Sequence, residues 1–302
     1  MNLSDLKNFS ENIQSQLLFD YNLKNLNWFN IGGKCKIFFK PNNLAELIQF
    51  LKIYNNRGKI FVLGAGSNVL ISDETYNGVV IKLGKNFSNI SKLSNEKLIA
   101  GATVLDKYLA DFSSENNIGG LEFLSCIPGT IGGGIRMNAG CYQKEFKDIL
   151  ISIQALDFNG NILTIPSNKV IFDYRSTNLN KELIFLSATF QGYQKKNIHI
   201  KEEILKLKNL KSKSQPSKIK TSGSTFKNPI KQSNKKVWEL IKASVPKGKS
   251  FGDAFISEEH ANFFVNKRNA SYKDMLKLIN FVKKSVKGKF NIDIDLELIL
   301  LN

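Results

Sequence analysis

The residues whose types and spacing could do chemistry fall into three groups. The first is Gly64-Ala65-Gly66-Ser67-Asn68, set between the apolar runs KIFVL and VLIS. A turn this tight needs positions of positive φ, and the missing side chains let backbone N–H groups approach an anion. It is no dinucleotide fingerprint, because Val69 occupies the third glycine position, and no Walker loop, because no GK[ST] follows. Taken alone it is equally an ordinary tight turn. The second group, Ile127 to Gly140, contains Pro128, Gly129, Thr130, Gly132, Gly133, Gly134, Asn138, Ala139 and Gly140. Six glycine or proline residues in fourteen disfavour a regular helix or strand. They suit a backbone lying against something flat or charged, such as an extended dinucleotide, and the plainer alternative is an irregular loop. The third group is scattered: Tyr174-Arg175-Ser176, then the polar turn Ser222 to Pro229 with Ser224, Lys227 and Asn228, then Glu297 near the end of the chain. Read singly these are an arginine for a salt bridge, a serine in a turn and a glutamate on a strand face, and spacing alone does not bring them together. His199 and His260 have no metal-ligand partner at helical spacing, so no metal site is expected, and no GxSxG elbow supports a serine triad.

The elements that must position these residues are read from periodicity. Leu6, Phe9, Ile13 and Leu17 recur at helical spacing, and a second helical run covers Leu44 to Tyr54. KIFVL and VLIS read as strands on either side of the first glycine turn, followed by a strand at Val79 to Leu83. A strand from Leu98 and a helix from Leu105 to Asn116 precede the second glycine segment. SIQALDFNGNILTI alternates at period two around Asn159-Gly160, the strongest hairpin signal in the chain, and LIFLSATFQGY continues as strand. Beyond a lysine-rich stretch that starts helical and loosens near Lys213 to Pro216, helices are expected at Val237 to Ala243 and Ser271 to Val286. Ser271 and Asp274 form an N-cap pair, and the closing IDIDLELIL alternates as a strand. The class is α+β, with a junction after residue 205.

Length and charge bound the function. The 302 residues suit two domains of about 150 residues each. No apolar run approaches the ~18 residues of a membrane helix, and MNLSDLKNFSENI lacks the layout of a secretion signal. Cys35, Cys126 and Cys141 show no CxxC spacing, which argues against a disulfide framework or zinc. A cytoplasmic globular protein is expected. The net charge of +17 raises the question of nucleic acid, since nine lysines lie between Lys195 and Lys220 against Glu202 and Glu203. That stretch has no aromatic for base stacking, and lysine outnumbers the arginine that bidentate recognition favours. A solvated helix face is the better reading, and such a field can also steer a small anionic substrate.

Taken in order, the motifs resemble those of the UDP-N-acetylenolpyruvoylglucosamine reductase family, the FAD enzymes of peptidoglycan precursor synthesis. The resemblance rests on NIGG (30–33), LGAGSNVL (63–70), Gly101-Ala102, GLEFLSCIPGTIGGGIRMNAG (120–140), YRST (174–177), GSTFKNP (223–229), SEEHANFFVN (257–266) and the terminal segment with Glu297. It implies a two-lobed FAD-binding domain of the vanillyl-alcohol-oxidase (PCMH) type at 1–205, with lobes 1–83 and 84–205. A smaller α+β substrate domain would follow at 206–302. It further implies noncovalent FAD, NADPH as hydride donor, and reduction of UDP-N-acetylglucosamine enolpyruvate to UDP-N-acetylmuramate by a monomer. By the same resemblance Arg175 is a cation toward the substrate carboxylate, Ser224 the proton donor, and Glu297, protonated, a polarising donor. Tyr174, Lys227 and Asn228 would touch substrate. Gly64, Ala65, Gly66, Ser67, Asn68, Pro128, Gly129, Thr130, Gly132, Gly133, Asn138, Ala139 and Gly140 would hold the cofactor. The chain departs from the family pattern at Asn27-Trp28, at Ala65 and in ASVPKG (243–248), none of which touches Arg175, Ser224 or Glu297. The alternatives are another FAD oxidoreductase of the same fold and, from a different class, a basic nucleic-acid-binding protein.

Overall fold

In a computed structural model, residues 3–216 and 219–302 are described. The chain divides into two compact units. The first comprises Met1–Phe19, Ile37–Ala65 and Asn77–Lys211, and the second Asp20–Lys36, Gly66–Tyr76 and Ser212–Asn302. Each has its own apolar core.

In the first unit, helix α1 (Leu3–Glu11) is shorter than the helical spacing through Leu17 predicts. The Asn12 N–H bonds back to Phe9 O and the Asn12 side chain to Asn8 O, closing the last turn. Leu17 then lies inward from a strand, Gln16–Asn22. Helix α2 (Leu44–Tyr54) forms where expected: Asn43 caps the Glu46 N–H, and Asn55, at φ +47, ends it. It buries Leu47, Phe50, Leu51 and Tyr54, with Phe50 stacked on Phe39 at 4.3 Å. The strand order in the adjoining sheet is Gln16–Asn22, Lys34–Lys40, Tyr76–Ile81, Lys59–Val62, the last two parallel with Ile60 opposite Val79. A five-stranded antiparallel sheet runs Ile162–Pro166, Leu150–Asp157, Leu183–Gln191, Lys97–Gly101, Ile90–Lys92. Its hairpin falls at Asn159-Gly160 as the sequence predicts. Asp157 Oδ1 accepts from the N–H groups of Asn159 and Asn161, and Gly160 takes φ +89.

Helix α3 (Asp106–Glu115) matches expectation, whereas helix α4 (Ile131–Arg136) lies inside the glycine segment whose composition argues against any helix. Burial overrides propensity there. Ile131 and Ile135 are sealed in the core, and a Cβ on Gly134 would stand 2.3 Å from the Phe146 ring, so only glycine lets the turn pack. Helix α5 (Asn197–Ser214) buries only Ile200 and Ile204 and presents Lys201, Lys206, Lys208 and Lys213 to solvent. It runs unbroken through residue 206.

In the second unit, helices α6 (Val237–Ser244) and α7 (Tyr272–Phe290) pack Leu240, Ile241, Met275, Leu278, Ile279, Val282 and Val286 around Phe226 and Phe264. The capping box of Ser271 and Asp274 is present, and α7 passes its expected end at Val286 by a turn before Asn291, at φ +57, stops it. A small sheet joins Ser250–Phe251, Ala254–Ile256 and Phe264–Asn266. The closing segment is strand only at Ile299–Leu301, parallel to Val69–Ile71. Residues before it pair only locally, Asp293 by two bonds with the Gln232 amide, and Asp295 O and Glu297 N–H with Lys227 N–H and Thr225 O around a single bridge of Leu296 to Phe226, so the predicted long alternation does not become a continuous ladder. No described helix is long and apolar enough to cross a membrane.

Candidate active site

The first glycine turn begins where strand Lys59–Val62 ends and Leu63 N–H bonds Ile81 O. From Gly64 through Asn68, no backbone N–H donates to an acceptor among the described residues. Gly66 sits at φ +68, and a Cβ there would fall 2.2 Å from Leu26 O. A Cβ on Gly64 would fall 2.7 Å from Thr130 Oγ1. Asn68 instead spends its side chain on the chain itself, donating to Glu297 O at 3.0 Å. Beside the turn, the Lys82 ammonium donates to Gly64 O. Burial and the charge of Lys40 lower its pKa, and among the described residues it has no carboxylate partner. A half-buried cation with one carbonyl acceptor, next to the unused N–H groups of Gly64 and Ala65, lacks negative charge. The sequence reading missed Lys82, whose only signal is a lysine inside the apolar strand VVIKL.

The second glycine segment is laid against Ala102 to Asp106. Ile131 N–H bonds Val104 O, Gly132 N–H bonds Ala102 O, and Asp106 N–H bonds Gly129 O. Its glycines have different reasons. Gly134 makes room for Phe146, and Gly140 for Lys144 O at 2.3 Å from a would-be Cβ. Gly133 is exposed, with only Thr130 Oγ1, at 3.6 Å, near its Cβ position, so the chain itself does not require glycine there. Asn138 is wholly buried at φ +41, and its amide is used within the chain: it donates to Glu145 Oε2 and Asp173 O and accepts from Lys147 N–H. Ala139 N–H bonds Gly134 O.

Arg175 turns the short hairpin of Phe172–Asp173 and Ser176–Thr177 in a left-handed conformation, φ +54. Its Nη2 donates to Gly140 O at 2.7 Å, and its guanidinium stands 5.3 Å from the Tyr174 ring centre. The structure thus joins Tyr174 and Arg175 to the end of the glycine segment, a link the spacing did not reveal. A second arginine unremarked in the sequence, Arg136, supports the same hairpin. It donates to Leu179 O, Asn180 O and Leu183 O and accepts at its own carbonyl from Thr177 Oγ1. Burial brings its pKa down to about 10.

In the second unit, Ser224 to Lys227 forms an extended segment bonded on both sides. Ser224 bridges Phe263, Thr225 N–H bonds Asn262 O, Lys227 N–H bonds Asp295 O, and Phe226 bridges Leu296. The Asn262 amide clamps Phe226, accepting from its N–H at 3.0 Å and donating to its O at 2.9 Å. With Glu297 N–H on Thr225 O, the backbones at Ser224 and Glu297 lie side by side. Asn228 Oδ1 accepts from Val237 N–H at the start of α6. The Thr225 hydroxyl is buried without a hydrogen-bond partner among the described residues. Asn262, which holds this segment in place, appears in the sequence only within SEEHANFFVN, with no role assigned from the pattern.

Residues 215–301 match the family "UDP-N-acetylenolpyruvoylglucosamine reductase, C-terminal domain", and residues 35–166 match "FAD binding domain". The UDP-N-acetylenolpyruvoylglucosamine reductase of Pelagibacter ubique (strain HTCC1062) is 60% identical over 100% of both chains. That of Rickettsia typhi (strain ATCC VR-144 / Wilmington) is 45% identical over 95% of this chain and 96% of its own. The crystal structure of the reductase from Thermus caldophilus superposes with a TM-score of 0.80 at 27% identity, covering 96% of this chain and 99% of that one.

Proposed function

The chain belongs to the UDP-N-acetylenolpyruvoylglucosamine reductase family, with the α+β fold of an FAD-binding domain of the vanillyl-alcohol-oxidase type and a C-terminal domain, and from this we propose how its residues serve that reaction. The protein is an FAD-dependent oxidoreductase that uses NADPH to reduce UDP-N-acetylglucosamine enolpyruvate to UDP-N-acetylmuramate. Residues 1–205, in lobes 1–83 and 84–205, make the FAD-binding domain and 206–302 the substrate domain. The observation that carries the cofactor assignment is the turn Gly64–Asn68 with its unused N–H groups beside Lys82, a fit for a pyrophosphate. Gly133, open on its Cβ side, suits the approach of a flat ring. Bound FAD, once reduced by NADPH, supplies hydride to the enolpyruvyl group.

The chain's own residues then manage charge and a proton. Hydride addition leaves negative charge spread from C2 of the enolpyruvyl group into its carboxylate. Arg175, held by Gly140 O, provides a fixed cation for that carboxylate, and Glu297, as a protonated donor, polarises it. Ser224 gives a proton to C2; a hydroxyl suffices because a carbanionic enolate is a strong base. Tyr174, Lys227 and Asn228 contact the sugar nucleotide. Gly64, Ala65, Gly66, Ser67, Pro128, Gly129, Thr130, Gly132, Gly133 and Gly140 hold FAD noncovalently, while Asn68, Asn138 and Ala139 shape the backbone that does so. The protein works as a cytoplasmic monomer with no nucleic-acid partner.

The test is a visible spectrum after incubation with FAD and desalting, followed by NADPH oxidation with the enolpyruvyl sugar nucleotide. About one flavin per chain and substrate-dependent NADPH consumption are expected. A folded, colourless protein overturns the cofactor site, and rapid reoxidation of the flavin by oxygen without substrate turnover favours an oxidase of the same fold.

A further inference from the structure

Two of the three cysteines meet at the ends of the second glycine segment. Cys126 closes the 3-10 turn Glu122–Cys126, one residue before the segment begins, and Cys141 follows its last glycine in the strand Gly140–Cys141. Cys35 is separate in sequence and fully buried. The Cys141 thiol lies 3.3 Å from Phe123 O and also faces the Cys126 sulfur. Lys211 of α5 donates to Cys126 O at 2.8 Å and, with Lys208, presents positive charge to the sulfur. Ser125 Oγ is 3.8 Å from Cys126 Sγ. Tyr142 and Arg175 complete the charged and titratable surroundings of the pair.

These neighbours split the two thiols. The neighbouring Cys141, then Ser125, Lys211 and Lys208, hold the Cys126 thiol below the ordinary thiol value against the effect of burial. Cys126 and burial push Cys141 up. These surroundings favour the thiolate at Cys126 and the protonated thiol at Cys141, the pairing that attack and resolution require.

We propose that Cys126 and Cys141 form an oxidisable dithiol, in which Cys126 is the site attacked by a hydroperoxide and Cys141 the thiol that resolves it into a disulfide. The Cys126 thiolate attacks one oxygen of hydrogen peroxide, the O–O bond breaks, and the departing hydroxide takes up the proton that the thiol released on ionising and leaves as water, giving the sulfenic acid. Cys141 sulfur then attacks Cys126 sulfur, its proton leaves with the hydroxyl as a second water, and the S–S bond forms. Two thiols lose two electrons and two protons to one peroxide. The bond ties residue 126 to residue 141 and so fixes both ends of the segment 127–140. It also pins the residue next to Gly140, whose carbonyl holds Arg175. The following turn is held in the left-handed region at Tyr142 and Gln143, φ +52 and +65, a two-residue hairpin geometry that costs non-glycine residues strain. The chemistry stands independently of the functional reading. Only its consequence for the cofactor rests on it.

The experiment treats the full-length holoprotein with hydrogen peroxide, alkylates with N-ethylmaleimide and maps peptides by mass spectrometry. A cross-link between the peptides of Cys126 and Cys141, lighter by two hydrogen atoms and reversed by dithiothreitol, is expected, with Cys35 alkylated only after denaturation. The rate at which Cys126 reacts should reach its plateau at lower pH than that of an ordinary cysteine, whose pKa is about 8.5. In Cys141→Ser a sulfenic acid should accumulate at Cys126 and be trapped by dimedone. In Cys126→Ser, Cys141 should stay reduced. Sulfinic acid at Cys126 with Cys141 still free, or no reaction at millimolar peroxide, overturns the proposal. Flavin retention measured on both redox forms keeps the cofactor reading separate, because the cross-link is scored whether or not flavin is bound.

Discussion

The glycine-rich stretches of the chain and the Ser224–Lys227 segment are built on opposite plans. In the glycine turn Gly64–Asn68, backbone N–H groups are left without acceptors, and at Gly133 the space a side chain would fill is open. In Ser224–Lys227, the N–H groups of Thr225, Phe226 and Lys227 and the carbonyls of Thr225 and Phe226 are bonded within the chain, and Asn262 clamps the middle. One region offers its backbone to a ligand. The other spends its backbone on rigidity and offers side chains. A cofactor held for many turnovers suits the first plan, because N–H donors grip a pyrophosphate without mobile parts. A proton delivered to one carbon atom suits the second, because a hydroxyl must be placed to within a fraction of an ångström.

The largest effect that separates the two plans is expected from Ser224→Ala. The enolpyruvyl half-reaction should slow by about 10²–10⁴-fold, while reduction of FAD by NADPH, measured by stopped flow, keeps its rate. Equal losses in both half-reactions would reject Ser224 as the proton donor and leave the rigid segment without its chemical purpose. Next comes a pair of neighbouring glycines. Gly133→Val should abolish FAD retention on desalting while the thermal midpoint of the flavin-free protein stays near wild type. Gly134→Ala should instead destabilise the protein by about 1–3 kcal/mol through overpacking against Phe146. If the two variants behave alike, the difference drawn between open and packed glycines fails.

How much of each plan was legible in the sequence follows from the same difference. Backbone binding leaves a compositional trace, so Gly64, Gly66 and the run from Gly129 to Gly140 stood out. The Asn159-Gly160 hairpin and the Ser271–Asp274 cap were legible for the same reason, each being a local rule satisfied by adjacent residues. Side-chain placement leaves no such trace. Ser224 and Glu297, whose segments meet through Thr225 O, are far apart in the chain, and only the resemblance joined them. The errors were tertiary as well. Burial of Ile131 and Ile135 made a helix of a glycine run, the bonds of Asn12 ended α1 early, and a side-chain pairing with Gln232 and one isolated bridge to Phe226 replaced the predicted closing ladder.

Lys82 sharpens the backbone plan by adding one charge to it. Lys82→Met should weaken FAD binding about tenfold, which equals about 1.4 kcal/mol, as read by quenching of flavin fluorescence. It should also leave the flavin-free protein at least as stable, because an ammonium without a counter-charge has been replaced by an apolar chain of similar length. A less stable protein with unchanged FAD affinity would make Lys82 a prop for the Gly64 carbonyl and nothing more.

The smallest effect on the cofactor is expected behind the glycine segment, at Asp106. Its N–H supports Gly129 O, but its carboxyl is fully buried, both oxygens lack a hydrogen-bond partner among the described residues, and burial holds its pKa well above the usual carboxylate value. The folded state therefore favours the protonated form. Below the unfolded pKa of about 3.9 both states carry the proton and ionisation costs the fold nothing. As the pH rises past that value the unfolded chain ionises first, and stability falls by up to about 1.4 kcal/mol per pH unit until the folded carboxyl also ionises. Asp106→Asn removes this titration while keeping the shape. Its thermal midpoint relative to wild type should be level or slightly lower at pH 4 and should climb toward pH 7, with FAD retention unchanged at both. A difference that stays flat across that range would mean Asp106 is ionised in the fold, with a partner that offsets its burial. A loss of flavin would mean that the support behind the glycine segment belongs to the ligand-facing plan after all.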